Sequence, residues 1–226
     1  MIRVTENFRK IQDLLAKAAA DAGRSGDEIR LLAVSKTKPV EAVLEAYAAG
    51  QREFGENYVQ EGLEKIAKVD RKDVIWHFIG HLQANKTRSV AQHFQWVHTI
   101  DRLKIARRLS DQRPDDAPPL DVLIEVNIDE EASKSGVMPD EVAHLAAAVA
   151  ALPRLTLRGL MCLPAIRHDV EEQRRPYARL RGILESLNDS GLSLDTLSMG
   201  MTHDYRAAIL EGATIVRIGT AIFGPR

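Results

Sequence analysis

The chain has 226 residues, of which 45% are hydrophobic and 28% are charged, a composition typical of a soluble globular protein with ample material for a core. The net charge is −1, and no apolar run approaches the roughly 20 residues of a membrane span, so neither nucleic acid nor a membrane is expected as a partner. The single cysteine, Cys162, excludes an internal disulfide framework, and the charged N-terminus is unlike a signal peptide, which together predict a cytoplasmic protein.

The first predicted element is an amphipathic helix whose apolar side chains recur at helical spacing, namely Phe8, Ile11, Leu14, Leu15 and Ala18. Thr5 is expected to cap its start and Gly23 to end it. After it, short apolar runs alternate with helical patterns. The strand-like runs lie at 30–35, 53–55, 75–79, 96–100, 120–128, 155–161, 195–199 and 213–218. The helical patterns lie at 39–49, 57–69, 84–94, 102–110, 139–151, 172–188 and 204–211.

Eight strand–helix units predict a parallel (β/α)₈ TIM barrel, formed as a single domain over residues 1–226, with the first helix as an N-terminal addition. An open, doubly wound sheet would also alternate, but eight units fit a closed barrel better. In such barrels the active site lies at the carboxyl ends of the strands, in the loops that lead into the helices. The residues that follow each apolar run are therefore the candidates for function.

The loop after the first run begins with Lys36, and burying an ammonium group there costs free energy unless it is paired or loses its proton. The loops after the last two runs are SMGMTHD and RIGTAIFG, which combine glycines with hydroxyl donors. Barrels often bind phosphate with these two loops, although the glycines would also suit simple tight turns. The phosphate-binding candidates are Ser198, Met199, Gly200, Thr202, Gly219 and Thr220.

A lysine amine that faces a phosphate site indicates a ligand with both an aldehyde and a phosphate. Pyridoxal 5′-phosphate (PLP), held as a lysine imine, and the sugar phosphate of a lysine-imine aldolase both fit. Arg217 would donate a hydrogen bond to the pyridine nitrogen of PLP and leave that nitrogen unprotonated. The structural alternatives are a rim ion pair of Lys36 with Glu53, Glu56 or Asp101, and a buried ion pair of Arg217 with Glu125.

Several motifs in chain order resemble the pyridoxal-phosphate homeostasis protein family. They are AVSKTKP (33–39), FGENYVQE (54–61), WHFIGHLQANK (76–86), TIDR (99–102), IEVNI (124–128), SKSG (133–136), RGLMCLP (158–164), LSMGM with Asp204 (197–204) and VRIGTAIFG (216–224). The resemblance implies a fold type III barrel, as in alanine racemase, with PLP on Lys36. It further implies that Arg217 faces the pyridine nitrogen, that Gly219 and Thr220 form the phosphate-binding turn, and that Asn57 and His81 lie near the cofactor.

The resemblance implies buffering and delivery of PLP within the cell rather than a defined reaction, so no catalytic residue and no metal ligand are assigned. An amino-acid racemase is the alternative, but racemisation needs a second base, which in alanine racemase is a tyrosine from the partner's extra domain. The chain ends at Arg226 after the eighth unit, so that domain is expected to be absent. We expect a monomer whose protein partners are apo forms of PLP-dependent enzymes. His203 departs from the family pattern at the barrel mouth.

Overall fold

A computed structural model describes residues 3–225 of the chain. Helix α1, Val4–Asp21, forms as the apolar spacing predicts and buries Phe8 and its helical neighbours. Thr5 was expected to cap this helix, but it lies inside the first turn, where its backbone N–H donates to Glu45 Oε1 at 3.1 Å. The helix begins earlier because Val4 is itself buried against the core.

Eight parallel strands close into a barrel in chain order, and β8 pairs back onto β1, which confirms the predicted TIM barrel. The strands are β1 Arg30–Val34, β2 Glu53–Glu56, β3 Ile75–Phe78, β4 Trp96–Ile100, β5 Leu120–Val126, β6 Leu155–Cys162, β7 Thr196–Ser198 and β8 Ile215–Ile218. The helices that follow them are α2 Val40–Ala48, α3 Val59–Val69, α4 Thr87–His93, α5 Leu103–Gln112, α6 Val142–Ala150, α7 Val170–Asp189, α8 Tyr205–Leu210 and α9 Thr220–Phe223.

Helices α3, α4 and α6 begin two or three residues later than predicted and α7 begins earlier, and the starts of α6 and α7 have clear local reasons. The segment after Pro139 first forms a 3₁₀ turn, so α6 begins three residues later than expected. Helix α7 begins two residues earlier, because the Asp169 side chain accepts a hydrogen bond from the backbone N–H of Glu172 at 3.0 Å and caps it. Among residues 3–225, no helix has the length and apolar character that crossing a membrane would require.

The side chains of the strands form two separate layers of packing. Alternate residues point outward and pack against the helices in one large apolar cluster, which includes Ala33 and Val216. The others point into the barrel, where Leu32, Trp96, Leu123, Met161 and Ile215 form a smaller cluster. On β1 the inward set continues past the end of the strand, because side chains alternate along a strand. Val34 and Lys36 accordingly both line the same cavity at the carboxyl ends of the strands.

Candidate functional site

A cavity of about 320 Å³ opens at the carboxyl ends of the strands, which is within the size range of small-molecule sites. Its walls come from the ends of β1, β6 and β8 and from the segments that follow β1, β2, β3, β6, β7 and β8. The lining residues are Val34, Lys36, Asn57, Ile79, Met161, Leu163, Pro164, Ile166, Arg167, Met201, Thr202, His203, Asp204, Arg217, Gly219 and Thr220. The cavity therefore combines an apolar wall from the β6 loop with an amine, a guanidinium and hydroxyl groups.

The loop that presents Lys36 has an unusual backbone conformation that is held by hydrogen bonds. Thr37 has a φ of 62°, in the left-handed region that a β-branched residue rarely adopts. Its backbone N–H donates to Glu61 Oε1 on α3 at 2.6 Å, and this bond offsets the strain. The position of the amine is thus tied to α3.

A buried ion cluster lies directly behind this loop. Lys65 on α3 is only 4% exposed, and its Nζ donates to Ser35 O at 2.6 Å, to Glu56 Oε1 at 2.8 Å and to Glu61 Oε1 at 2.6 Å. Burial raises the pKa of Glu56, while the hydrogen bond from Lys65 opposes that rise. The Lys65 ammonium bonds the backbone of Ser35 directly and, through Glu61, is linked to the backbone of Thr37, so the cluster anchors the backbone on either side of Lys36.

Arg217 on β8 forms the cationic part of the cavity floor. It is 4% exposed, and its guanidinium donates to Ser198 Oγ at 2.7 Å and to Cys162 O at 2.8 Å. Its described contacts include no ion pair with Glu125. Burial lowers the pKa of Arg217 and raises that of the Cys162 thiol to about 12, so this cysteine is an inert buried side chain.

Glu125 on β5 lies inside the barrel near its mouth and is 5% exposed. Burial, and then the negative charge of Asp101, raise its pKa to about 7, although the charge of Arg217 acts in the opposite direction. A carboxyl group that changes charge near neutral pH therefore lies close to the cavity.

Two glycines in the last loops shape the cavity wall. Gly200 has a φ of +90°, and a Cβ there would lie 2.6 Å from the Cβ of Ala208. At Gly219, which precedes α9, a Cβ would approach Val34 O to 3.0 Å. Thr220 opens α9, and the first N–H groups of a helix have no partner within the helix. The two loops thus bring backbone close to the cavity at the position where the sequence predicts a phosphate.

Six of the ten residues predicted for the site line the cavity. They are Lys36, Asn57, Thr202, Arg217, Gly219 and Thr220. Ser198 lies behind Arg217 and orients it, Gly200 forms the turn, and Met199 is a fully buried core residue. His81 lies outside the cavity lining with a side chain that is 54% exposed and an Nδ1 that is 3.9 Å from Asp101 Oδ2.

Other residues of the site were not predicted from the sequence. Arg167 lines the cavity and pairs with Asp129 at 2.6 Å, but it comes from a loop whose path the sequence does not give. The sequence analysis did not consider Lys65, which the structure buries on α3. Within residues 3–225, no group of three or more His, Cys, Asp and Glu side chains could hold a metal ion.

Comparison with known proteins identifies the family of this chain. The family model described as "Alanine racemase, N-terminal domain" matches residues 3–226. The "Pyridoxal phosphate homeostasis protein" of Pseudomonas aeruginosa is 55% identical over 100% of this chain and 97% of its own length. That of Escherichia coli K12 is 54% identical over 99% of this chain and 97% of its own length. The chain belongs to the pyridoxal phosphate homeostasis protein family.

Solved structures agree with this family assignment. PipY of Synechococcus elongatus PCC7942, solved with PLP bound, aligns with a TM-score of 0.81 at 34% identity, over 93% of this chain and 100% of PipY. Alanine racemase of Corynebacterium glutamicum aligns with a TM-score of 0.75 over 99% of this chain and 61% of that enzyme. At 18% identity, the second alignment shows a shared fold only.

Proposed function

We propose that this member of the pyridoxal phosphate homeostasis protein family binds PLP in the described cavity and serves to hold the cofactor and deliver it. The observation that supports this most directly is that Lys36 and Arg217 line one cavity together with the Gly219–Thr220 turn. An aldehyde, a pyridine nitrogen and a phosphate would each meet a group of matching chemistry there. Lys36 Nζ would bond to the aldehyde carbon with loss of one water molecule.

Further features of the cavity fit this cofactor. Asn57 Oδ1 is buried without a hydrogen-bond partner among the described residues, as expected for an atom that a ligand satisfies. A Cβ at Gly219 would crowd Val34 O at 3.0 Å, and its absence lets the backbone come close to an anion. Two bonds occupy part of the five-donor guanidinium of Arg217, and the remaining N–H groups are available to a ring nitrogen. PLP itself supplies an electron-withdrawing ring, which a donor at that nitrogen leaves unprotonated and weaker as an electron sink.

The residues that surround the cavity support a carrier role rather than racemisation. The lining residues that are described include no tyrosine, since Tyr58 is 55% exposed at the surface and Tyr205 lies outside the lining. His203 and Asp204 are the titratable side chains on the wall formed by the β7 loop. A purified protein that interconverts D- and L-amino acids, with activity lost in His203→Ala, would favour the racemase instead.

The test of binding is the visible spectrum of the purified protein, followed by borohydride reduction and peptide mapping. We expect a yellow protein whose reduced adduct maps to Lys36 and is absent from Lys36→Ala. Lys68→Ala is the matched control, because Lys68 is an exposed lysine of α3. A protein that stays colourless after incubation with PLP would refute the proposal.

Delivery is tested by mixing the PLP-loaded protein with an apo PLP-dependent enzyme. We expect faster activation than free PLP gives at the same low concentration. The exposed apolar side chains of Leu163 and Ile166 at the cavity mouth offer a contact for such a partner. We further propose that the protein acts as a monomer in the cytoplasm, and light scattering coupled to gel filtration tests the oligomeric state.

A further inference from the structure

A chain of polar side chains crosses the interior of the barrel beneath the cavity. Beyond Arg217, Ser198 Oγ lies 2.9 Å from His98 Nδ1, and His98 Nε2 lies 2.9 Å from His77 Nδ1. His77 Nε2 lies 3.2 Å from Glu53 Oε2. Both histidines are fully buried, with 0% exposure. The chain therefore joins the cavity floor to the opposite end of the barrel.

The Glu53 end of this series of side chains is held by an ion pair. Arg30 donates to both carboxylate oxygens of Glu53, at distances between 2.7 and 3.1 Å. Burial alone would raise the pKa of Glu53, but hydrogen bonds from His77 and Arg30 outweigh it and lower the pKa to about 2. Glu53 is thus an anion that only accepts hydrogen bonds.

Arg217 at one end of this series and Glu53 at the other determine which nitrogen of each imidazole carries the proton. Arg217 only donates, so Ser198 Oγ accepts from it; this oxygen could also accept from His98, and it is the carboxylate at the Glu53 end that favours the order in which Ser198 donates to His98 Nδ1. His98 then carries its proton on Nε2 and donates to His77 Nδ1. His77 in turn carries its proton on Nε2, which lies 3.2 Å from Glu53 Oε2; this is a contact with a charged carboxylate, without the geometry of a regular hydrogen bond. The opposite placement of the protons would leave His77 Nε2 without a proton, facing the carboxylate of Glu53.

Packing holds the two rings in this arrangement. The ring of Trp96 stacks on that of His77 with centroids 5.4 Å apart and an interplanar angle of 14°. The two imidazoles meet edge to face, with centroids 5.1 Å apart. Burial lowers the pKa of both histidines, most strongly that of His98, so both rings stay neutral.

We propose that His98 and His77 are positioning residues that hold Arg217 at the cavity floor through one-directional hydrogen bonds from Arg217 to His77, which end in the contact of His77 with Glu53. Glu53, itself paired with Arg30, lies at the far end of this series, and the two neutral imidazoles fix the orientation of the Ser198 hydroxyl that contacts the guanidinium. The N–H groups of Arg217 that face the cavity are thereby left for a ligand. The effect of these two histidines on cofactor binding rests on the proposed function, whereas the positions of their ring protons do not.

The first experiment uses cofactor-free wild-type protein with ¹⁵N-labelled histidine. Long-range ¹H–¹⁵N spectra distinguish Nε2–H, Nδ1–H and doubly protonated rings. We expect two of the seven histidines to be neutral Nε2–H forms that do not change between pH 5.5 and 8.5; the other five are exposed and serve as internal references. The charged groups facing the two rings are Glu53, Arg30 and Arg217. An Nδ1–H form or protonation of either buried ring would overturn the proposal, whether or not PLP binds.

The second experiment follows the bound cofactor in His98→Phe, with His144→Phe as a control on an exposed surface. We expect the visible absorption band to shift and the dissociation constant for PLP to rise about tenfold, which corresponds to the net loss of about one hydrogen bond. His98→Gln can still donate and accept, and it should restore both properties in part. An unchanged spectrum and affinity in a folded His98→Phe would show that the histidines only fill space. If the wild type takes up no PLP, the proposed function fails. The spectra of the labelled histidines then decide by themselves whether His98 and His77 carry their protons as proposed.

Discussion

Replacing Glu125 by glutamine should stabilise the protein at alkaline pH while leaving its stability at acidic pH nearly unchanged. Burial raises the pKa of this carboxyl from its ordinary 4.5 to about 7. A raised pKa means that the folded state binds the proton more tightly than the unfolded state. The carboxyl therefore contributes stability that is fully present below pH 4.5 and is lost as the pH rises through 7. At 1.36 kcal/mol per pH unit, the loss is on the order of 3 kcal/mol.

Urea denaturation of the cofactor-free protein, followed by circular dichroism at several pH values, measures this effect. The free energy of unfolding of Glu125→Gln minus that of the wild type should grow by roughly 2–3 kcal/mol between pH 5 and pH 8. Glu64→Gln alters an exposed residue of α3 and should show no such pH dependence. A constant difference for Glu125→Gln would show that this carboxyl is ionised in the folded protein throughout, and the reasoning from burial would fail.

Three other substitutions or reagents test particular contacts. Gly200→Ala forces a Cβ into a left-handed backbone next to Ala208, so we expect a loss of about 1–3 kcal/mol in thermal denaturation together with weaker PLP binding. Lys65→Met removes the cation that pairs with the fully buried Glu56 and should cost about 3–5 kcal/mol in urea denaturation, in contrast to a small effect for the exposed Lys68→Met. Cys162 should not react with a thiol reagent at pH 8 until urea is added, because it is buried and its pKa is about 12; rapid labelling of the native protein would contradict this.

The barrel could be predicted because its determinants are local. Strands covered on both faces are apolar throughout, and each is short and followed by a helical pattern, so the runs are visible even where only three residues are clear, as at 53–55. The start of α1 could not be predicted in the same way. Thr5 has the right side chain for a cap, but the tertiary contact with Glu45 and the burial of Val4 extend the helix past it.

The cavity could be predicted in part for a similar reason. Loops that follow parallel strands meet at one end of a barrel, so Lys36 and the last two loops had to converge once the fold was known. What could not be predicted is which polar residues meet inside. His98 and Ser198 are 100 positions apart in the chain, and only the closure of the barrel brings them together. The sequence signal for an inward-facing His77 is the alternation of side chains along a strand, because His77 is two positions from each of the inward-facing Ile75 and Ile79.

Stability alone does not explain why this barrel has a polar layer where branched apolar side chains are usual. Buried charged groups can often be replaced by apolar residues without loss of stability. A buried guanidinium whose N–H groups must face a ligand has a different requirement. A carboxylate in direct contact would occupy those N–H groups, whereas the neutral Ser198 hydroxyl, with the two neutral imidazoles behind it, holds the guanidinium from the side away from the cavity. In the proposed arrangement Ser198 Oγ and Cys162 O fix Arg217, and its remaining N–H groups stay open to the cavity.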